Sequence, residues 1–168
     1  MRYTGAAYRA HHPNWSWTPL SGEGARRYGG RFNRPGTPAL YLSVTLETAI
    51  GEASQGFSLR FPPLTIVTYD VDCDDVADLT TPAYLKKPGI TPAQLAGPWQ
   101  RLAHEGEPVP TWLLAGRLIA AGYAGILVRS FAPGATSSQH NLVLWRWGAE
   151  LPHKIEVYDP DGRLKPRT

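Results

Sequence analysis

Apolar residues recur along the chain at two spacings, which predict six strands and two helices. Alternating or continuous apolar segments are typical of strands, and they cover Ala6–Ala10, Ala39–Ser43, Leu64–Val71, Ala124–Arg129, Asn141–Trp147 and Lys154–Tyr158. Helical spacing occurs in Thr45–Gln55, where Leu46, Ala49, Ile50 and Ala53 fall at i, i+3, i+4 and i+7. A second helix is predicted over Thr111–Ala121, with Gly122 as its C-cap. The last two strands are expected to pair as a hairpin.

Glycine and proline interrupt the remaining segments and predict long loops. The chain has 17 glycines and 16 prolines among its 168 residues, and both types favour turns. Residues 11–38 are predicted to form a loop. The stretch from Asp78 to Pro110 is predicted to be an extended loop with a short helix near Thr91–Ala96. Together the elements predict a single domain over residues 1–168, an α+β fold with a mainly antiparallel, split sheet and flanking helices.

Composition narrows the class of protein. A hydrophobic content of 42% and a charged content of 18% are typical of a compact globular domain. No apolar run reaches about 18 residues and no secretory signal pattern is present, so no membrane association is expected. Cys73 is the single cysteine, which excludes an internal disulfide and makes the cytoplasm the expected compartment. The net charge of +3 suits a phosphate-bearing ligand but is low for a dedicated DNA-binding domain.

The segment Y-G-G-R-F-N-R-P-G, residues 28–36, contains the first candidate site residue. Gly29 and Gly30 free the backbone before Arg31, and Asn33 begins a turn after it. An arginine held on a stiff turn presents a planar fork to a carboxylate or a phosphate. The alternative for Arg31 is an ordinary surface arginine beside a turn.

The following strand and helix contain two further candidates. Tyr41 lies between Leu40 and Leu42, so its ring points to the opposite face, towards a cleft or solvent. The helix carries Glu47 and Glu52 on opposite flanks of its apolar stripe. Glu47 lies in the first turn, where the helix dipole already favours an anion. Glu52 lies mid-helix among small residues that leave room for a ligand, and it is therefore the preferred functional acid.

Polar residues at strand ends, namely Arg9, Ser130 and Asn141, add weaker candidates, because most such residues only form turns. The chain has no G-x-G-x-x-G, G-x-x-x-x-G-K-[ST] or G-x-S-x-G motif. Its histidines show neither H-E-x-x-H nor Cys/His spacing, and the aspartates from Asp70 to Asp78 lack the glycine and glutamate of a calcium loop. No metal site is predicted.

Four elements in order resemble the RES domain: Tyr8-Arg9, Gly30-Arg31-Phe32-Asn33 with Gly36, Leu40-Tyr41-Leu42-Ser43, and Ala49 with Glu52. The similarity resumes at Arg129-Ser130 and at Asn141–Leu144. Ser130 is the preferred match for the serine that is part of the family name, with Ser137 and Ser138 as alternatives. Phe32 stands where the family commonly has tryptophan. The stretch from Pro82 to Pro110 has no counterpart in this resemblance.

The resemblance implies an ADP-ribosyltransferase-like fold that binds NAD in a cleft of a split sheet and cleaves its nicotinamide–ribose bond. It also implies the toxin of a type II toxin–antitoxin pair, whose partner is an antitoxin with a helix-turn-helix DNA-binding domain. ADP-ribose would pass to water, to phosphate or to a target protein. In this scheme Glu52 opposes the positive charge on the ribose, Tyr41 stacks on the nicotinamide, and Arg31 and Arg9 bind the pyrophosphate. Ser43, Ser130 and Asn141 complete the polar wall.

The main alternative from another class is a non-catalytic nucleic-acid-binding module. It would use the basic C-terminal residues Lys154, Arg163, Lys165 and Arg167 together with the tryptophans. Binding of that kind weakens steeply with salt and leaves NAD intact.

Overall fold

The computed structural model describes residues 1–54, 62–85 and 89–164. Within these ranges the strands are β1 Tyr3–His11, β2 Leu40–Ser43, β3 Thr65–Cys73, β4 Val76–Leu79, β5 Gly125–Arg129, β6 His140–Leu144 and β7 His153–Val157. The α-helices are α1 Glu23–Tyr28, α2 Leu46–Ser54, α3 Pro82–Leu85, α4 Pro92–Ala96, α5 Trp99–His104 and α6 Pro110–Ala120, and a 3-10 helix spans Pro13–Trp15. No helix in the described ranges is long and apolar enough to cross a membrane.

The strands form one sheet in the order β4-β5-β6-β2-β1-β3-β7. Neighbours are antiparallel except β4 and β5, which are parallel. β1 pairs with β3 along its whole length, from Tyr3 to His11. Its contact with β2 on the other side is a single pair, Tyr8 with Ser43. The α+β fold with a mainly antiparallel sheet and flanking helices is confirmed, and the sheet opens between β1 and β2.

Two groups of buried apolar side chains cover the two faces of the sheet. Strand pleating sends Val143 to one face and Leu142 and Leu144 to the other. The first face packs against α4 and α6 through residues such as Leu95 and Leu114. Complete burial of a side chain of this size contributes roughly 1.5–3 kcal/mol, so the packing holds β6 and β2 firmly beneath the site.

The predicted loops contain more regular structure than expected. Residues 11–38 include α1 and the 3-10 helix, and the Asp78–Pro110 stretch includes the end of β4 and three helices besides the start of α6. The prolines mislead because Pro82, Pro92 and Pro110 each occupy the beginning of a helix, where a missing N–H costs nothing. A crossover is also required here, because β4 and β5 are parallel neighbours.

The predicted hairpin between the last two strands is wrong. β6 lies inside the sheet with β5 and β2 on its two sides, so neither edge is left for β7. β7 instead pairs with the outer edge of β3, where Ile155 is buried opposite Val71. This pairing joins segments far apart in sequence, and local patterns do not encode it.

Candidate active site

The site lies where β1 and β2 diverge. Continuation of their pairing beyond Tyr8 and Ser43 would place Arg9 and Ala10 opposite Leu42 and Tyr41. These residues instead line a cavity of about 180 Å³. Helix α2 closes it with Ala49, Glu52 and Ala53, and Asn141 reaches it from β6. We call this cavity the cleft.

A hydrogen-bonded carboxylate lines the cleft. Glu52 Oε1 accepts a hydrogen bond from Ser130 Oγ at 2.6 Å and a second one from Asn141 Nδ2. Asn141 Oδ1 in turn accepts from Ser43 Oγ at 2.9 Å. Within the described part of the chain, the donors to this carboxylate all bind Oε1. Among these residues, the carboxylate is therefore held through Oε1.

The Arg31 guanidinium is partly engaged by the protein itself. Its Nη1 donates to the main-chain oxygens of Leu95 at 3.0 Å and Gly97 at 2.8 Å. Its Cζ lies 4.7 Å from the centre of the Phe131 ring, in cation–π contact. Burial lowers the pKa of Arg31, and the opposing charge of Glu52 partly compensates. Arg31 thus anchors the junction of α4 and α5 beside the cleft while adding positive charge near Glu52.

Tyr41 faces the cleft side of β2, as the alternation predicts, and its hydroxyl is fully engaged. The hydroxyl accepts from the Phe32 N–H at 2.9 Å and donates to Asn33 Oδ1 at 2.7 Å. Burial raises the pKa of Tyr41 well above its usual range, so the phenol stays protonated at neutral pH. A Cβ on Gly30 would lie 2.5 Å from this hydroxyl, so only glycine fits at that position. The Arg31 turn is therefore built around the tyrosine.

Asn33 is the internal support of this turn. Its side chain is 1% exposed, and Nδ2 donates to the main-chain oxygens of Ala25 and Thr37 at 2.8 Å and more weakly to that of Arg34. Two tryptophans hold the turn from outside, since Trp112 Nε1 donates to Gly30 O at 2.7 Å and Trp145 Nε1 to Phe32 O at 2.9 Å. The sequence indicated only a turn at Asn33, and the Asn-x-Pro-Gly pattern gives no signal of its burial.

Arg9 lies at the other wall of the cleft, in contact with a buried polar pair. Tyr69 donates its hydroxyl proton to Pro19 O at 2.9 Å, and the same oxygen lies 2.8 Å from His11 Nε2. His11 Nε2 therefore carries a proton and donates to Tyr69. Burial, reinforced by the Arg9 charge, lowers the pKa of His11 to about 4. Because His11 is neutral, Arg9 is the residue of the two that carries positive charge at this wall.

Stability is expected to fall in mild acid because of His11. Its pKa of about 4 in the folded protein lies below the usual value of about 6.5, so the unfolded chain takes up the proton first. The contribution of neutral His11 to the free energy of unfolding is complete above pH 6.5 and is lost as the pH falls towards 4. At pH 5 the loss is roughly 2 kcal/mol. Urea unfolding at pH 7, 6 and 5 will measure it. His11→Gln, which retains an N–H donor for Tyr69, should lose less stability over this interval; an identical loss would contradict the assignment.

The structure brings most of the predicted site residues together. Glu52, Ser130, Asn141 and Ser43 form one hydrogen-bonded chain, and Arg9 and Tyr41 line the same cleft. The alternative serines, Ser137 and Ser138, are exposed, as is Glu47. The contact of Phe131 with the Arg31 guanidinium was not predicted from the sequence. In the described ranges no three His, Cys, Asp or Glu side chains gather as a metal site would require.

The basic C-terminal residues are paired where they are described. Lys154 Nζ lies 3.0 Å from Glu156, and Arg163 Nη2 lies 2.7 Å from Asp161. Lys165 and Arg167 lie outside the described residues. The two described cations therefore do not form an unopposed basic patch.

A mainly antiparallel sheet that opens beside an oriented carboxylate defines an α+β protein with a candidate small-molecule site between its diverging strands. The model of the RES domain family matches residues 6–166, and the chain belongs to this family. It is 33% identical over 141 residues to the NAD(+) phosphorylase MbcT of Mycobacterium bovis and of Mycobacterium tuberculosis, covering 77% of this chain and 71% of the relative. The crystal structure of the M. tuberculosis MbcT–MbcA toxin–antitoxin complex matches 95% of this chain and 84% of that chain, with a TM-score of 0.59 and 23% identity.

Proposed function

We propose that this protein is a toxin that cleaves NAD at the nicotinamide–ribose bond and transfers the ADP-ribose to inorganic phosphate. The observation that carries the proposal is the Glu52 carboxylate, oriented by Ser130 and Asn141 in the cleft between β1 and β2. Membership of the RES domain family and the phosphorylase activity in the name of the MbcT relatives favour phosphate over water or a protein as the acceptor.

The chemistry requires a fixed negative charge close to the ribose. As the bond to nicotinamide breaks, positive charge develops on the ribose, as it does in glycoside hydrolysis. A preorganised carboxylate stabilises that charge without reorganisation during the reaction. Because Ser130 and Asn141 hold Oε1, Oε2 is the oxygen that would bind the ribose 2′-hydroxyl. The phosphate oxygen then bonds to the anomeric carbon, and nicotinamide leaves with the electron pair of the broken bond.

The remaining side chains provide orientation. Tyr41 is rigid because its hydroxyl is bonded at both sides, so its ring is a stable surface against which nicotinamide can stack. Arg9 lines the cleft and would bind the pyrophosphate. Arg31 would contribute its positive charge near Glu52, since its Nη1 already binds the main-chain oxygens of Leu95 and Gly97. The resemblance implied equal roles for the two arginines, and these contacts favour Arg9 at the pyrophosphate.

A toxin of this kind needs an inhibitor in its own cell. The structural relative is a toxin in complex with an antitoxin, and we expect a cognate antitoxin with a helix-turn-helix domain that blocks entry to the cleft. Oε2 of Glu52 would then be closed to NAD without any change in the fold.

The direct test is product analysis by mass spectrometry. Incubation of the protein with NAD and phosphate should give nicotinamide and ADP-ribose-1″-phosphate in equal amounts. The rate should rise with phosphate concentration until saturation. Release of free ADP-ribose at a rate independent of phosphate would indicate hydrolysis, and a mass increment of ADP-ribose on a protein would indicate transfer. Intact NAD in all reactions, with a folded protein, would contradict the proposal as a whole.

A further inference from the structure

A second, larger cavity lies beside the cleft and has no role in the mechanism described above. It holds about 480 Å³, within the range typical of small-molecule sites. His12, Trp15, Trp17 and Tyr28 supply its aromatic walls, and Arg9 and Arg27 supply positive charge. The Glu23 carboxylate also lines it, paired with Arg26 at 2.7 Å. We call it the aromatic pocket.

The aromatic pocket and the cleft share a wall. Arg9 and Ala10 line both cavities, so a ligand that extends from one to the other would lie close to Arg9. The cleft alone, at about 180 Å³, lies below the size range of sites for drug-sized ligands. A dinucleotide therefore needs additional space, and the aromatic pocket adjoins the cleft through Arg9.

Large aromatic surfaces are exposed around this pocket. Trp15 is 64% exposed, Trp17 47% and Tyr28 75%. The two tryptophans are nevertheless held in place, because Trp15 ends the 3-10 helix that His12 caps and Trp17 Nε1 donates to Asn14 O at 2.8 Å. Exposed but ordered aromatic rings around a cavity are suited to stacking on a flat ligand.

We propose that the aromatic pocket binds the adenosine phosphate end of the dinucleotide, with Arg9 at the pyrophosphate between the two cavities. This inference rests on NAD being the substrate. The purine ring would stack against the tryptophan side chains, and Arg27, whose ion pair with Glu23 is long at 3.8 Å, adds charge for phosphate. Stacking of a base on an aromatic side chain favours binding whichever base it is, because every base has a π-face.

The test uses AMP, which carries this end of NAD and has no bond for the enzyme to cleave. Isothermal titration calorimetry of the full chain should detect AMP binding, and the Trp15→Ala/Trp17→Ala double variant should weaken it at least tenfold. Ribose 5-phosphate, which lacks the base, should bind more weakly than AMP and respond little to the double variant. Tyr158→Ala, which removes an exposed aromatic residue outside both cavities, is the matched control and should bind AMP as the unmodified chain does.

The outcomes separate this proposal from the proposed function. AMP binding that is lost in the double variant supports the pocket whether or not NAD is cleaved, while product analysis alone decides the activity. Absence of AMP binding to the unmodified chain overturns the pocket, as does an affinity unchanged in a double variant whose thermal unfolding matches that of the control.

Discussion

Replacement of Glu52 by glutamine is expected to slow NAD cleavage by roughly 10²–10³-fold, the usual effect of removing one preorganised electrostatic group. Glutamine has the size of glutamate and retains an oxygen that can accept from Ser130 and Asn141, so the hydrogen bonds that orient residue 52 can survive. What it lacks is the negative charge opposite the ribose. NAD consumption followed by chromatography, with thermal unfolding measured in parallel, will show whether rate and stability separate.

Glu47→Gln is the matched control for this experiment. Glu47 lies in the first turn of the same helix and is exposed, so its loss removes only a favourable interaction with the helix dipole of roughly 0.3–1 kcal/mol. It should cleave NAD at the rate of the unmodified chain. A folded Glu52→Gln protein with near-normal activity, or equal losses in the two variants, would show that Glu52 does not have the proposed role.

Replacement of Asn33 by alanine is expected to be the most destabilising change at the site, with a loss of roughly 2–4 kcal/mol in the free energy of unfolding. The Asn33 amide satisfies the main-chain oxygens of Ala25 and Thr37 and accepts the Tyr41 proton. Alanine would leave these buried groups without partners and a cavity beside them. For a chain of this size, the melting temperature should fall by roughly 5–15 °C.

Urea unfolding will measure this loss, with Gln100→Ala as the control because Gln100 is exposed on α5 and its truncation should change stability by less than about 0.5 kcal/mol. Asn33→Asp gives a second measure if the alanine variant does not fold. It retains an acceptor for Tyr41 but loses the N–H donors to the main-chain oxygens. A stability within the range of the control in both variants would show that these hydrogen bonds do not support the turn.

Local sequence predicts those parts of the site that are set by a single helix or strand. The alternation around Tyr41 and the mid-helix position of Glu52 are properties of single elements, and both side chains reach the cleft. Family resemblance connected them to Ser130 and Asn141. The partners of Arg31 are different, because Leu95 and Gly97 lie more than 60 residues away in a proline-rich stretch. Apart from a short helix near Thr91–Ala96, the sequence predicts a loop for that stretch, whereas Pro82, Pro92 and Pro110 each begin a helix.

The one strand pairing predicted from the sequence, between the last two strands, is wrong. No local pattern distinguishes β3 from β6 as the partner of β7, because the choice depends on which strand edges the rest of the sheet leaves open. The buried position of Asn33 is hidden for the same reason, since asparagine in a turn and asparagine at the centre of a hydrogen-bond network have the same sequence pattern. Tertiary contacts decided both cases.

The contact of Arg31 with two main-chain oxygens has a consequence for how this part of the molecule tolerates sequence change. A carbonyl group is present whatever the side chain, so substitution at position 97 leaves the hydrogen-bond acceptor for Arg31 in place. The φ of −54° at Gly97 is one that other residues also adopt, and a Cβ there would lie 3.2 Å from Gln94 O, so a substitution needs a small local shift. The junction of α4 and α5 can therefore change its side chains over time while Arg31 keeps its two hydrogen-bond acceptors.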